Sequence, residues 1–183
     1  MPNWCNNGIT LRHKDSAMVT RAQEALAAGR LLQEFIPCPQ DLIDTVSGFM
    51  GEDKREAHEA QMKRNIELYG YKDWYDWNVA NWGTKWDVGG SDFVIDDVGN
   101  ELQCYFDSAW TPPIPLFERL TELGYTVNAT YYEPGVGFVG RWTTEDGDDC
   151  YEIEFTAEAI AELPQDLVDE YGIEPWDDDD EEA

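Results

Sequence analysis

The sequence predicts an α+β fold: a ferredoxin-like sandwich with a mainly helical insertion and an added C-terminal hairpin and helical segment. Three observations predict it. Apolar residues recur at three- and four-residue intervals around 16–29 and 113–124. They alternate with period two at 102–107 and 125–133. The segments then follow one another as strand, helix, insertion, strand pair, helix and strand, the order of a split βαβ sandwich.

Ile9 to Arg12 reads as a short strand leading through Asp15 or Ser16, both good N-caps, into a helix that ends near Gly29. Met18, Val19, Ala22, Ala25 and Leu26 give that helix one core-facing stripe. Phe35-Ile36-Pro37-Cys38-Pro39 reads as an extended connection, because two nearby prolines stop a helix from continuing. The insertion spans about 40–82. Its best helix, about Glu52 to Leu68, carries Lys54, Arg55, Lys63 and Arg64, with Glu59 and Lys63 at i,i+4 spacing. This is either a salt-bridged exposed helix or an internal counter-surface for the acidic remainder.

Past the insertion, Lys85 to Val88, Phe93 to Asp97 and Leu102 to Asp107 read as strands, the last two separated by the tight-turn pair Gly99-Asn100. Leu102, Cys104 and Phe106 take one face, and Gln103, Tyr105 and Asp107 the other. Pro113 opens a helix whose stripe is Leu116, Phe117, Leu120 and Leu123, ended by Gly124. Tyr125 to Glu133 alternates with Val127, Ala129 and Tyr131 on one side. Gly137 to Thr143 and Cys150 to Phe155, joined across Glu145 to Asp149, extend the sheet or form a neighbouring hairpin. Ile160, Leu163, Leu167 and Tyr171 share a helical face that Pro164 divides into two pieces. Residues 1–173 then form a single domain, and 174–183, with the run Asp177 to Glu182, an acidic disordered tail.

The formal net charge is -27, from 39 acidic against 12 basic residues in 183. Such a chain has almost no positive charge with which to displace counterions, so direct binding to nucleic acid or to an anionic membrane through a basic surface is excluded. No Lys or Arg follows Thr143. Three readings of this imbalance stay open: ordinary solubility, adaptation to high salt, and a surface made for a basic partner. With no basic leader and no long apolar run, the sequence reads as cytoplasmic, its thiols reduced. Cys5, Cys38, Cys104 and Cys150 form no C-x-x-C pair and only His13 and His58 accompany them, so neither a metal nor another cofactor is expected.

Two groups of residues stand out as candidate sites. Trp82, Lys85, Trp86, Asp87, Asp107, Trp110 and Glu133 lie in aromatic segments rich in Gly and Pro. Either the rings line a pocket that stacks a planar group, or they complete a secondary core with Lys85 paired to an acid at its edge. Asp87, Asp107 and Glu133 also contain the carboxylates a hard-cation site needs, without a spacing rule to test it. No phosphate-binding or nucleophile-elbow motif occurs, and no catalytic residue is assigned. The second group is Glu152, Glu154, Glu158, Glu162, Asp166 and Asp169. If helical, the last four make a charged row about 5–6 Å apart, which is either a solvated face or an imitation of a DNA backbone.

Met1-Pro2-Asn3-Trp4-Cys5 with Asn7, Phe35-Ile36-Pro37-Cys38-Pro39, the aromatic region Tyr71 to Asp87, Phe106 to Pro113, and Tyr131 to Gly140 together resemble the YubB-like family of bacteriophage and conjugative-plasmid proteins. The resemblance covers about 1–143 and implies a ferredoxin-like domain and a mobile-element origin. It carries over no catalytic residue. Combined with the acidity, it raises the expectation of a non-enzymatic protein that binds and inhibits a basic, nucleic-acid-binding host defence protein, as a DNA mimic. The alternative is a small-ligand or metal-binding module, or an enzyme, built on the Trp/Asp/Glu cluster.

Overall fold

The protein is described by a computed structural model over residues 3–176. The central strand β1 (Trp4–Arg12) starts earlier than the sequence alone indicates. Helix α1 (Ser16–Ala27) follows, its first turn capped by the Asp15 carboxylate, which accepts from the Ala17 N–H at 3.0 Å. Short α2 (Leu31–Phe35) takes up part of the segment expected to be extended. Its free N–H groups at Leu32 and Gln33 donate to the Asp87 carboxylate at 2.7 and 2.9 Å. That cap lies far along the chain, so no local pattern announces the helix.

The insertion contains α3 (Gln40–Ile43), α4 (Arg55–Tyr69) and α5 (Trp74–Trp82). Exposed α4 is laced by Arg55, which pairs with Glu59 at 2.8 Å and Glu52 at 3.5 Å, in place of the expected Glu59–Lys63 pair. It is anchored by buried Asn65, which donates to the Thr45 hydroxyl and the Lys72 carbonyl, each at 2.9 Å.

The remaining elements are β2 (Phe93–Ile95), β3 (Glu101–Ala109), α6 (Ile114–Glu122), β4 (Thr126–Glu133), β5 (Phe138–Thr143), β6 (Gly147–Glu152), α7 (Ala157–Ile160) and α8 (Gln165–Tyr171). Two expected strands need correction. Lys85–Val88 is irregular: Asp87 is held by α2, and the Thr84 hydroxyl meets the Ala109 carbonyl in place of a ladder bond. The last hairpin turns sooner than expected, because the Asp146 N–H donates to the Thr143 hydroxyl and Gly147 adopts φ 77. Its second strand is therefore Gly147–Glu152, where Cys150 to Phe155 was expected.

All strand pairs are antiparallel, in the order β2-β3-β1-β4-β5-β6. The first four strands make the ferredoxin-like arrangement, in which two helical crossovers return beside a central strand. The hairpin β5-β6 extends it. Ile9 and Leu11, with Leu102, Cys104, Phe106, Val127 and Ala129, face the main core beneath α1 and α6. A smaller core of Val139, Ile153, Ile160, Leu167, Val168 and Ile173 lies on the opposite sheet face under α7 and α8. Trp176 stacks on Phe155 at 4.1 Å, so ordered contacts run past the expected boundary at 173. The acidic run from Asp177 lies outside the described residues.

In β5, Gly140 pairs with Tyr131, whose hydroxyl reaches past it to the Asp148 carboxylate at 2.6 Å. A Cβ at Gly140 would sit 2.4 Å from that hydroxyl and 2.7 Å from the Asp149 carbonyl. Gly140→Ala is expected to lower the unfolding free energy by about 1–3 kcal/mol, measured by urea denaturation. An unchanged midpoint would show that the hairpin yields freely.

Candidate functional site

The six acidic candidates are all exposed, but no single helix carries them. Glu152 ends β6, Glu154 follows it, Glu158 sits in α7, Glu162 precedes Pro164, and Asp166 and Asp169 lie on α8. The proline break therefore interrupts the evenly spaced row expected from the sequence. Glu152, Glu154 and Glu162 instead share a groove of about 970 Å³ whose walls include Val136, Phe138 and Leu163. Asp166 pairs with Arg141 at 2.9 Å, and that guanidinium holds its carboxyl below the usual range. Asp169 accepts from the Gln165 amide. Glu158, Asp166 and Asp169 do not line the groove.

The aromatic candidates separate into several places. Lys85 Nζ lies 4.6 Å from the Trp86 ring centre and 5.5 Å from those of Tyr75 and Trp110, and no described carboxylate forms an ion pair with it. The ammonium is thus held by ring faces, through their quadrupoles. Trp4 adds a fourth ring, 5.8 Å from Trp86. Trp82 belongs to the main core, its indole N–H bonded to the Ile36 carbonyl at 2.8 Å.

Each candidate carboxylate has a separate local task. Asp87 caps α2, and burial raises its pKa against the opposing effect of three backbone N–H bonds. Asp107 projects from the open sheet face and accepts from the Asn6 amide at 2.7 Å. Glu133 is buried and takes the N–H groups of Gly135 and Val136 at 2.8 and 2.6 Å, fixing the β4-β5 turn. Among the described residues, no group of three or more His, Cys, Asp or Glu is placed to hold a metal. Burial pushes the thiols of Cys5 and Cys104 up to about 12 and that of Cys38 up to about 11, far from the thiolate form a nucleophile needs.

Sequence reasoning misses Trp74, Tyr75 and Trp4. Trp74 joins Trp82, Trp86, Ile43, Arg30 and Asp87 around a second cavity, about 440 Å³. It combines three of the seven aromatic-cluster candidates and leaves out Lys85 and Trp110. The i and i+8 relation of Trp74 and Trp82 on α5 is the only local signal for it.

Trp110 is the one non-glycine residue with positive φ, 73°, among the described residues. Its N–H donates to the Asn3 carbonyl at 2.9 Å, tying that conformation to the start of β1. A side chain there carries left-handed strain that glycine lacks. Trp110→Gly is therefore expected to be more stable than Trp110→Ala by about 1 kcal/mol, although both lose the ring; chemical denaturation of the pair checks the ranking.

Residues 81–172 match the family model described as the ferredoxin-like domain in Api92-like protein. The match begins near the end of α5, so β1 and α1 lie outside it, although β1 is central to the sheet. A crystal structure of protein api92 from Yersinia pseudotuberculosis is similar at 12% identity, with a TM-score of 0.41, over 84% of this chain and 99% of that one. No curated protein matches significantly.

Proposed function

Starting from the Api92-like family, to which the chain belongs, we propose a non-enzymatic protein that binds and blocks a basic, nucleic-acid-binding host protein through its C-terminal acidic groove. The observation that carries this reading is the convergence of Glu152, Glu154 and Glu162 around apolar walls. Carboxylates at the rim attract Lys and Arg, and the walls cover the apolar stems of those side chains. The nearby strand and helices contain no basic residue after Arg141, itself paired with Asp166. The local field is left uncompensated, and association with a basic surface is fast and salt-sensitive.

DNA mimicry is the specific form of this proposal. The groove presents carboxylates where a nucleic-acid-binding protein expects phosphates, and phage or plasmid origin, in keeping with the YubB-like strings, supplies a reason for a decoy of host restriction or CRISPR proteins. The site of action is then the host cytoplasm. Among the described residues, no helix is long and apolar enough to cross a membrane.

Replacing Glu152, Glu154 and Glu162 together with Gln is expected to weaken capture of the basic partner by about tenfold or more at low salt and to flatten the salt dependence. Affinity purification from host lysate, followed by titration of the captured protein, reads both effects. Unchanged affinity, or recovery without any nucleic-acid-binding protein, defeats the proposal.

The cavity walled by Trp74, Trp82 and Trp86 supports a second reading, a small-ligand module. Its volume falls in the range of small-molecule sites. A ligand that binds there raises Tm in a concentration-dependent way, and Trp86→Ala removes the rise. A thermal-shift series over nucleotides, aromatic acids and divalent metals with no rise excludes those classes.

A further inference from the structure

The part of the sheet that α7 and α8 leave uncovered holds a smaller groove, about 290 Å³, and its floor is unusual. Gly8 sits in the middle of β1, where glycine weakens a strand and often marks a close approach by another group. A Cβ there would lie 2.9 Å from Tyr105 Cε1, 3.1 Å from Thr130 Oγ1 and 3.2 Å from Glu170 Oε1. Three side chains from separate elements thus converge over a bare α-carbon. Tyr105 is 63% exposed despite that contact, so it offers ring surface to solvent.

The carboxylate is held in place. The Tyr171 hydroxyl donates to the Thr130 hydroxyl at 3.0 Å, and Thr130 donates to Glu170 Oε1 at 2.9 Å. One Glu170 oxygen is thereby fixed and the other has no described partner. Gln103, whose amide N–H donates to Glu101, also lines the groove. Arg141, the one cation on the lining, is tied to Asp166.

An exposed aromatic ring beside an oriented carboxylate makes a site for a flat cation. A guanidinium satisfies both, since it stacks on aromatic rings and donates in its own plane to carboxylates. An ammonium fits less well because it has no plane to stack. A nucleotide meets a chain of net charge -27 with phosphates of the same sign. We infer that this open sheet face is a guanidinium receptor, occupied by an arginine side chain of the basic partner. The source of the arginine rests on the function proposed above; the chemistry of the groove does not.

The test is an NMR titration of the whole protein with N-acetyl-arginine amide, using N-acetyl-lysine amide and guanosine as comparisons. The arginine compound is expected to move the backbone amide signals of Gly8, Tyr105, Thr130 and Glu170 saturably, at least about fivefold more tightly than the lysine compound. Tyr105→Leu and Glu170→Gln, both at exposed positions, should each weaken it by about fivefold while the rest of the spectrum stays native. The Gln triple variant of the acidic groove should leave the titration unchanged. Equal binding of lysine, binding of guanosine alone, or no saturable movement at those amides overturns the inference. The two proposals also fail separately. A positive titration with no basic protein recovered from lysate removes the partner arginine, whereas a partner captured equally by wild type and Tyr105→Leu removes the groove from recognition and leaves the acidic site standing.

Discussion

The two-residue period of β1 is the constraint on which the rest of the molecule depends. Because β1 is hydrogen-bonded to both β3 and β4, its alternation decides for three strands at once which side chains enter the main core and which face the other way. Buried Asn7 reinforces this register: its amide nitrogen lies within hydrogen-bond reach of the Cys5 and Phe106 carbonyls and the Ser108 hydroxyl. A one-residue slip would expose Ile9 and Leu11 and drive Asn6 and Thr10 inward. It would also remove Gly8 from beneath Tyr105.

The electrostatic plan follows the order of the chain. Of the ten basic residues in the N-terminal half, five are paired with acids: Arg12 to Glu101, Arg21 and Arg30 to Glu34, Arg55 to Glu52 and Glu59, and Lys72 to Asp76. Such exposed pairs add little stability. Their effect is to leave less positive charge free to offset acids elsewhere. The added C-terminal module has only Arg141 beside it, so its carboxylates remain available. Packing with a small core of its own, it holds those charges on ordered elements.

Much of the sheet was legible in the sequence because alternation is a local signal. The inward set Leu102, Cys104 and Phe106, the outward set Gln103, Tyr105 and Asp107, and the face of Val127, Ala129 and Tyr131 all follow from period two. Helix α2 was not legible, since its cap comes from Asp87, and neither was the loss of the strand at 85–88, which has the same cause. The acidic row was legible only as a conditional helical spacing, and the break that the sequence marks at Pro164 divides it between α7 and α8. The aromatic cluster shows the other limit: Trp82, Asp107 and Glu133 are of the right residue types, yet a core, an open sheet face and a buried turn separate them. Gly8 carried a faint signal, a glycine within a strand, whose meaning depends on three distant side chains.

Strand β6 closes the sheet, and among the described residues no strand lies beyond it. An exposed edge of this kind invites pairing between molecules, and acids on it oppose that pairing. Asp148, Asp149 and Glu152 on β6 bring like charges together whenever two copies approach edge to edge. Acids placed along this edge therefore discourage self-assembly into continuous sheets. That safeguard weakens as salt screens the charges.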